Sequence, residues 1–163
     1  ESRGLGDVYK RQALCLLLGF MLGRKSKYEK RDYLKQFKIG KATYSESLIY
    51  EAYGGLQNDG IMLAVYYDVD AAKIIHQLDS WEKINDSPTI SSILKNVSSY
   101  FGLDFVIPEI ASGNFFLYDN SQHKELRSEA EMNTLLLHSE DVNFSLVVWD
   151  DEKHTIYIVE YRI

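Results

Sequence analysis

Ala13–Gly23 (ALCLLLGFMLG) carries no charged, amide or hydroxyl side chain, so no helix built from it has a wet face to lay on the surface of a globular domain. Its eleven residues reach about 16 Å as a helix against about 30 Å of bilayer hydrocarbon. The run is read as the stub of a transmembrane or signal-anchor helix, or as the core of a signal peptide; burial inside the domain is the alternative. Directly behind it stand Arg24, Lys25, Lys27, Lys30, Arg31, Lys35, Lys38 and Lys41, opposed only by Glu29 and Asp32. Residues 1–45 carry a net charge of +7 and residues 46–163 a net charge of −13. A basic stretch behind an apolar run, followed by an acidic body, is the pattern of a membrane-tethered domain. Membrane lipid is then the expected partner of the N-terminal segment, at about 1 kcal/mol per basic residue near an anionic surface. An acidic body repels nucleic acid. The basic flank taken alone favours the cytoplasmic side, but the positive-inside rule compares two flanks and leaves sidedness open here.

Asp7-Val8-Tyr9-Lys10-Arg11-Gln12 is what GAT GTG TAT AAG AGA CAG encodes, a string that resembles the transposase recognition end used to fragment DNA for sequencing. Residues 1–12 are therefore read as translated adapter, with a genuine basic N-terminus as the alternative. Cys15 has no small residues just before it of the kind a lipoprotein cleavage site needs, and no second cysteine to pair with. The expected division is residues 1–12 as adapter, 13–23 as anchor, 24–44 as a basic juxtamembrane helix or linker, and 45–163 as one soluble domain.

Within that domain, Glu46–Tyr53 and Ile61–Val69 are strand-like runs around Gly54-Gly55-Leu56-Gln57-Asn58-Asp59-Gly60, and Asp59-Gly60 is a hairpin turn signal. Asp70 reads as the N-cap of a short helix, Ala71–Leu78, with Ile74, Ile75 and Leu78 inward and Trp81 closing its end. Ser87 and Pro88 open a second helix whose Ile90, Ile93, Leu94, Val97 and Phe101 share a face, opposite Ser91, Ser92, Lys95, Asn96 and Ser99. Gly113–Tyr118 reads as a strand, residues 121–141 as weakly patterned with one helical turn near Glu129–Leu135, and Val142–Trp149 with Thr155–Ile163 as a closing hairpin. This order predicts an α+β domain: an antiparallel sheet of about five strands with two helices on one face, preceded by the anchor stub.

The motifs Gly54-Gly55-Leu56-Gln57-Asn58-Asp59-Gly60, Trp81, Pro88, Asn143-Phe144-Ser145-Leu146, Asp150, Thr155-Ile156-Tyr157 and Glu160-Tyr161 give the body a likeness to known proteins. It resembles a family of uncharacterised membrane-anchored or lipoprotein-like proteins of Gram-positive bacteria. That family places a histidine where this chain has Gln57. The resemblance implies the architecture, the anchor and an extracytoplasmic body; it implies no activity.

No nucleophile elbow or phosphate loop is visible, no cofactor motif is present, and the histidines His76, His123, His138 and His154 show no zinc-hydrolase spacing. Asp119, His123 and Glu125 come closest to a ligand set, and Asp150, Asp151 and Glu152 form an acidic tip without the spacing that wraps a calcium ion; both read better as turns. The candidate contact is the first hairpin loop, Gly54, Gly55, Asn58, Asp59 and Gly60, with Tyr50, Tyr53, Tyr66 and Tyr67 on its strands. The leading expectation is a non-catalytic anchored module binding a protein or envelope ligand. The alternative is a metal-assisted or acid/base hydrolase using Asp59, Asp119 and His123.

Overall fold

Alternating and β-branched residues set the first hairpin, and a computed structural model of the chain extends it to β1 (Glu46–Gly54) and β2 (Asp59–Tyr67). The structure describes residues 33–54, 59–84, 87–101, 107, 109–137 and 142–162. The anchor stub, the basic residues Arg24, Lys25, Lys27, Lys30 and Arg31, and the loop residues Gly55 and Asn58 lie outside them. Among the described residues no helix is long and apolar enough to cross a membrane.

The fold is α+β. Seven strands, completed by β3 (Glu82–Lys83), β4 (Gly113–Asp119), β5 (Lys124–Leu126), β6 (Asn143–Asp150) and β7 (Thr155–Arg162), form one antiparallel sheet in the order β1-β2-β7-β6-β4-β3, with β5 also on β4. The closing hairpin thus sits in the middle of the sheet, and the first hairpin docks on its last strand. Two more strands are present than the sequence pattern predicts, because β3 and β5 are only two and three residues long and carry no period to read.

Four α-helices are described: α1 (Tyr33–Gln36), α2 (Ile75–Leu78), α3 (Pro88–Tyr100) and α4 (Glu129–Leu137). They cover both faces of the sheet, not one. Since side chains alternate along a strand and directly paired residues share a face, Leu63, Val65, Val159, Leu146, Val148 and Leu117 form one floor, under Ile90, Ile93, Leu94 and Val97 of α3 and Met132 and Leu135 of α4. Met62, Ala64, Ile156, Ile158, Val147 and Trp149 form the other floor. Tyr33, Leu34, Ile39 and Ala42 lie on that second floor with Val69, Ile74, Leu78 and Trp81. Residues Tyr33–Ile163 make one compact unit, so the domain takes in twelve residues that the basic pattern assigns to a linker. Tyr33 donates to Glu51 at 2.6 Å and Gln36 to Glu160 at 2.9 Å, tying α1 to β1 and β7. Burial first, then the Glu51 carboxylate, raises the Tyr33 phenol and keeps it a donor.

Local chemistry closes each helix. In α1 the Ile39 amide donates to the Leu34 carbonyl and the Lys38 amide to that of Lys35, with Lys38 left-handed at φ 61°, a Schellman stop built on a lysine. Asp70 caps as expected, but onto a 3-10 turn, Ala71–Lys73, that leads into α2. The shift in phase turns Ile75 outward at 50% exposure, against expectation, while Ile74 and Leu78 stay buried. Ser87 accepts from the Ile90 amide at 3.3 Å and α3 buries the predicted stripe. In α4, Glu131 takes the Ser128 amide at 3.3 Å while Ser128 Oγ takes the Glu131 amide at 3.3 Å, a reciprocal capping box. Glu129 accepts from the hydroxyls of Ser87 and Thr89, joining the N-termini of α3 and α4.

Candidate functional site

The two strands of the first hairpin pair as far as Gly54 and Asp59. An open cleft of about 350 Å³ lies against this end of the sheet, lined by Ala52, Tyr53, Asp59, Gly60, Ile61, Tyr100, Tyr161 and Arg162. Of the candidate loop residues, Asp59 and Gly60 line this cleft. Tyr100, Tyr161 and Arg162 are not legible as site residues from sequence, since one ends a helix and the others end the chain's last strand. Their signal is topological: Tyr161 pairs with Ile61 and Arg162 with Gly60.

The cleft walls are held by packing. Tyr161 stacks on Phe144 with ring centroids 5.4 Å apart and 17° between planes. Tyr100, 62% exposed, stands edge-on to Phe101 at 5.4 Å, and Phe101 leans on Tyr50 at 5.9 Å. Burial, and then the neighbouring Tyr100 phenol, raises Tyr161 above the ordinary tyrosine value, so its hydroxyl remains protonated and able to donate. Gly60 has a specific reason to be glycine. A Cβ there would meet the Ala52 carbonyl oxygen at 2.4 Å and the Tyr53 ring at 2.5 Å, so Tyr53 closes over the bare backbone.

Of the four tyrosines noted on the hairpin strands, only Tyr53 lines this cleft. Tyr66 and Tyr67 end β2 about 25 Å along the strand from the turn; Tyr66 is buried against Tyr44 with centroids 4.9 Å apart. Tyr50 packs under Phe101.

The hydrolase residues are not brought together. Asp119 sits in the row of Phe144, Tyr161 and Ile61 across β4, β6, β7 and β2, so it lies three inter-strand steps, about 14 Å, from the strand that begins with Asp59. Its Oδ1 accepts from the amides of Ser121 at 2.9 Å and Gln122 at 3.0 Å. His123 occupies the left-handed position of that turn at φ 55°. The closing hairpin repeats the device: Asp150 Oδ1 accepts from the amides of Glu152 at 3.0 Å and Lys153 at 3.1 Å, and His154 is left-handed at φ 49°. The shared spacing Asp-x-x-x-His is therefore turn chemistry that the sequence displays twice. Glu125 accepts from Arg127 at 2.9 Å, and Asp151 accepts from the Trp149 indole and from Ser112 at 3.0 Å. Among the described residues no three His, Cys, Asp or Glu converge to hold a metal ion.

Comparison with protein-family models, curated proteins and solved structures gives no match for this chain.

Proposed function

We propose that the chain is a membrane-tethered, non-catalytic binding module whose contact surface is the cleft at the turn of the first hairpin. The tether rests on the apolar run Ala13–Gly23 and the basic cluster behind it, and on the resemblance to anchored proteins of Gram-positive bacteria. The observation that carries the binding reading is the cleft lining. Tyr53, Tyr100, Tyr161, Asp59 and Arg162 all border one open space, and among the described residues its lining holds no serine, threonine, cysteine or histidine to serve as a nucleophile–base pair. Tyrosine and arginine give large contact area and oriented hydrogen bonds, the composition of contact sites between proteins or with ring-shaped ligands.

Two measurements test this. The full chain mixed with anionic vesicles floats with them and stays after an alkaline wash, whereas recovery in the wash removes the tether. A pull-down from the source envelope with the full chain recovers a partner that Asp59→Ala with Asn58→Ala, or Tyr100→Ala with Arg162→Ala, loses. Equal recovery by all three chains rules out the cleft as the contact.

A further inference from the structure

We propose a second binding surface, the outer edge of β1, and assign to it an extended basic peptide that adds a strand antiparallel to β1. The two edges of the sheet are built differently. The outer side of β4 is shared between β3 and β5, short strands that bring Lys83 and Lys124 to that rim. Such interruption and such lysines are the usual protection of a sheet edge. β1 has neither. It pairs in unbroken register from Glu46 opposite Tyr67 to Gly54 opposite Asp59, a bulge-free edge of about 30 Å. It contains no lysine, arginine or proline, and among the described residues its ladder runs to β2 alone.

Side-chain chemistry selects the occupant. On the floor that carries α1, β1 presents Ile49, 42% exposed, and Tyr53, 36% exposed, with Glu51 between them; on the opposite floor it presents Glu46. An incoming antiparallel strand therefore meets an apolar, an acidic and an apolar position in alternation, then a second acid. Cross-strand pairs of opposite charge are favourable and like pairs are not, so the matching peptide is apolar, basic, apolar at alternate residues. Glu51 already accepts from Tyr33 at 2.6 Å, and a carboxylate has capacity for further donors. A second copy of β1 would set two acid-only strands side by side on bodies that each carry −13.

The inference rests on the binding-module reading and names a partner chemistry for it, at a surface that shares Ala52 and Tyr53 with the cleft but not Tyr100 or Arg162. The probe is a nine-residue peptide, threonine throughout except valine at positions two and six and lysine at positions four and nine, with a twin carrying glutamate in place of lysine. Fluorescence anisotropy with the full chain should show binding of the lysine peptide and none of the twin. Amide deuterium exchange should show new protection confined to β1. Glu46→Lys with Glu51→Lys should weaken the lysine peptide about tenfold and favour the glutamate twin, a gain that misfolding cannot mimic. Equal binding of both peptides, protection outside β1, or a peptide-free dimer that protects β1 would each overturn the proposal. Tyr100→Ala with Arg162→Ala should leave peptide protection of β1 unchanged, so a failed cleft and a failed edge give different results.

Discussion

His123 and Asp119 show how a residue type read for its chemistry can be present for its backbone. In the turn after β4 the aspartate oxygen collects two amides and the histidine takes a left-handed conformation, which costs about 1 kcal/mol for a residue bearing a Cβ. His123→Gly should therefore raise stability by about 0.5 to 1 kcal/mol, offset partly by the flexibility of glycine in the unfolded chain. A Tm higher by about 3 °C is expected; a lower one would mean that the imidazole makes a contact that matters. The opposite holds at Gly113. A Cβ there would sit 1.9 Å from the Trp149 carbonyl oxygen, inside the ladder of β4 and β6. Gly113→Ala should cost about 3 kcal/mol by forcing β4 from β6, read as a drop in the urea midpoint with an unchanged slope.

The capping box of α4 joins a local sequence signal to a pH response. Glu131 is held down at about 2, first by its bond to Lys124, then by the amides of Arg127 and Ser128. A carboxylate depressed in the folded state stabilises fully above its unfolded value, and the contribution is lost as pH falls through the folded value. Stability should therefore decline between about pH 4.5 and pH 2, and Glu131→Gln should remove that part of the decline. A Glu131→Gln chain that follows the parent through this window would show that the ion pair is solvent-screened into irrelevance. Ser128-Glu129-Ala130-Glu131 is legible as a helix start, although the weak apolar pattern after it directs attention elsewhere. The long elements are plain: α3 shows cap, proline and stripe together, and the four long hairpin runs alternate or are β-branched. The covering of the sheet departs from the expectation. Phe144 to Trp149 and Thr155 to Val159 are buried throughout and apolar but for Ser145 and Thr155, and such runs signal strands packed on both faces. The cleft is half legible for a related reason. Asp59 and Gly60 mark a turn by themselves, whereas Tyr161 and Arg162 reach them only through a pairing between distant segments.

Taken whole, the molecule depends on a segment that its charge disguises. Tyr33, Leu34 and Ile39 stand among eight basic residues, yet all three are buried on the second floor of the sheet. Burial of each is worth about 1.5 to 3 kcal/mol, so a chain begun at Ser45 should lose about 5 to 8 kcal/mol. That is comparable with the whole stability of an ordinary domain. A chain begun at Tyr33 should unfold cooperatively in denaturant, and one begun at Ser45 should show no transition; matching curves would show that α1 rests on the sheet without supporting it. The strand order has a further result, for synthesis. β7 is made after every other described strand, yet it is the one that joins both halves of the sheet. Until it emerges, the early hairpin has no neighbour on its inner side and β6 has one only on its β4 side. A chain stopped before Thr155 therefore presents two open strand edges, on β2 and on β6, in place of a smaller working piece.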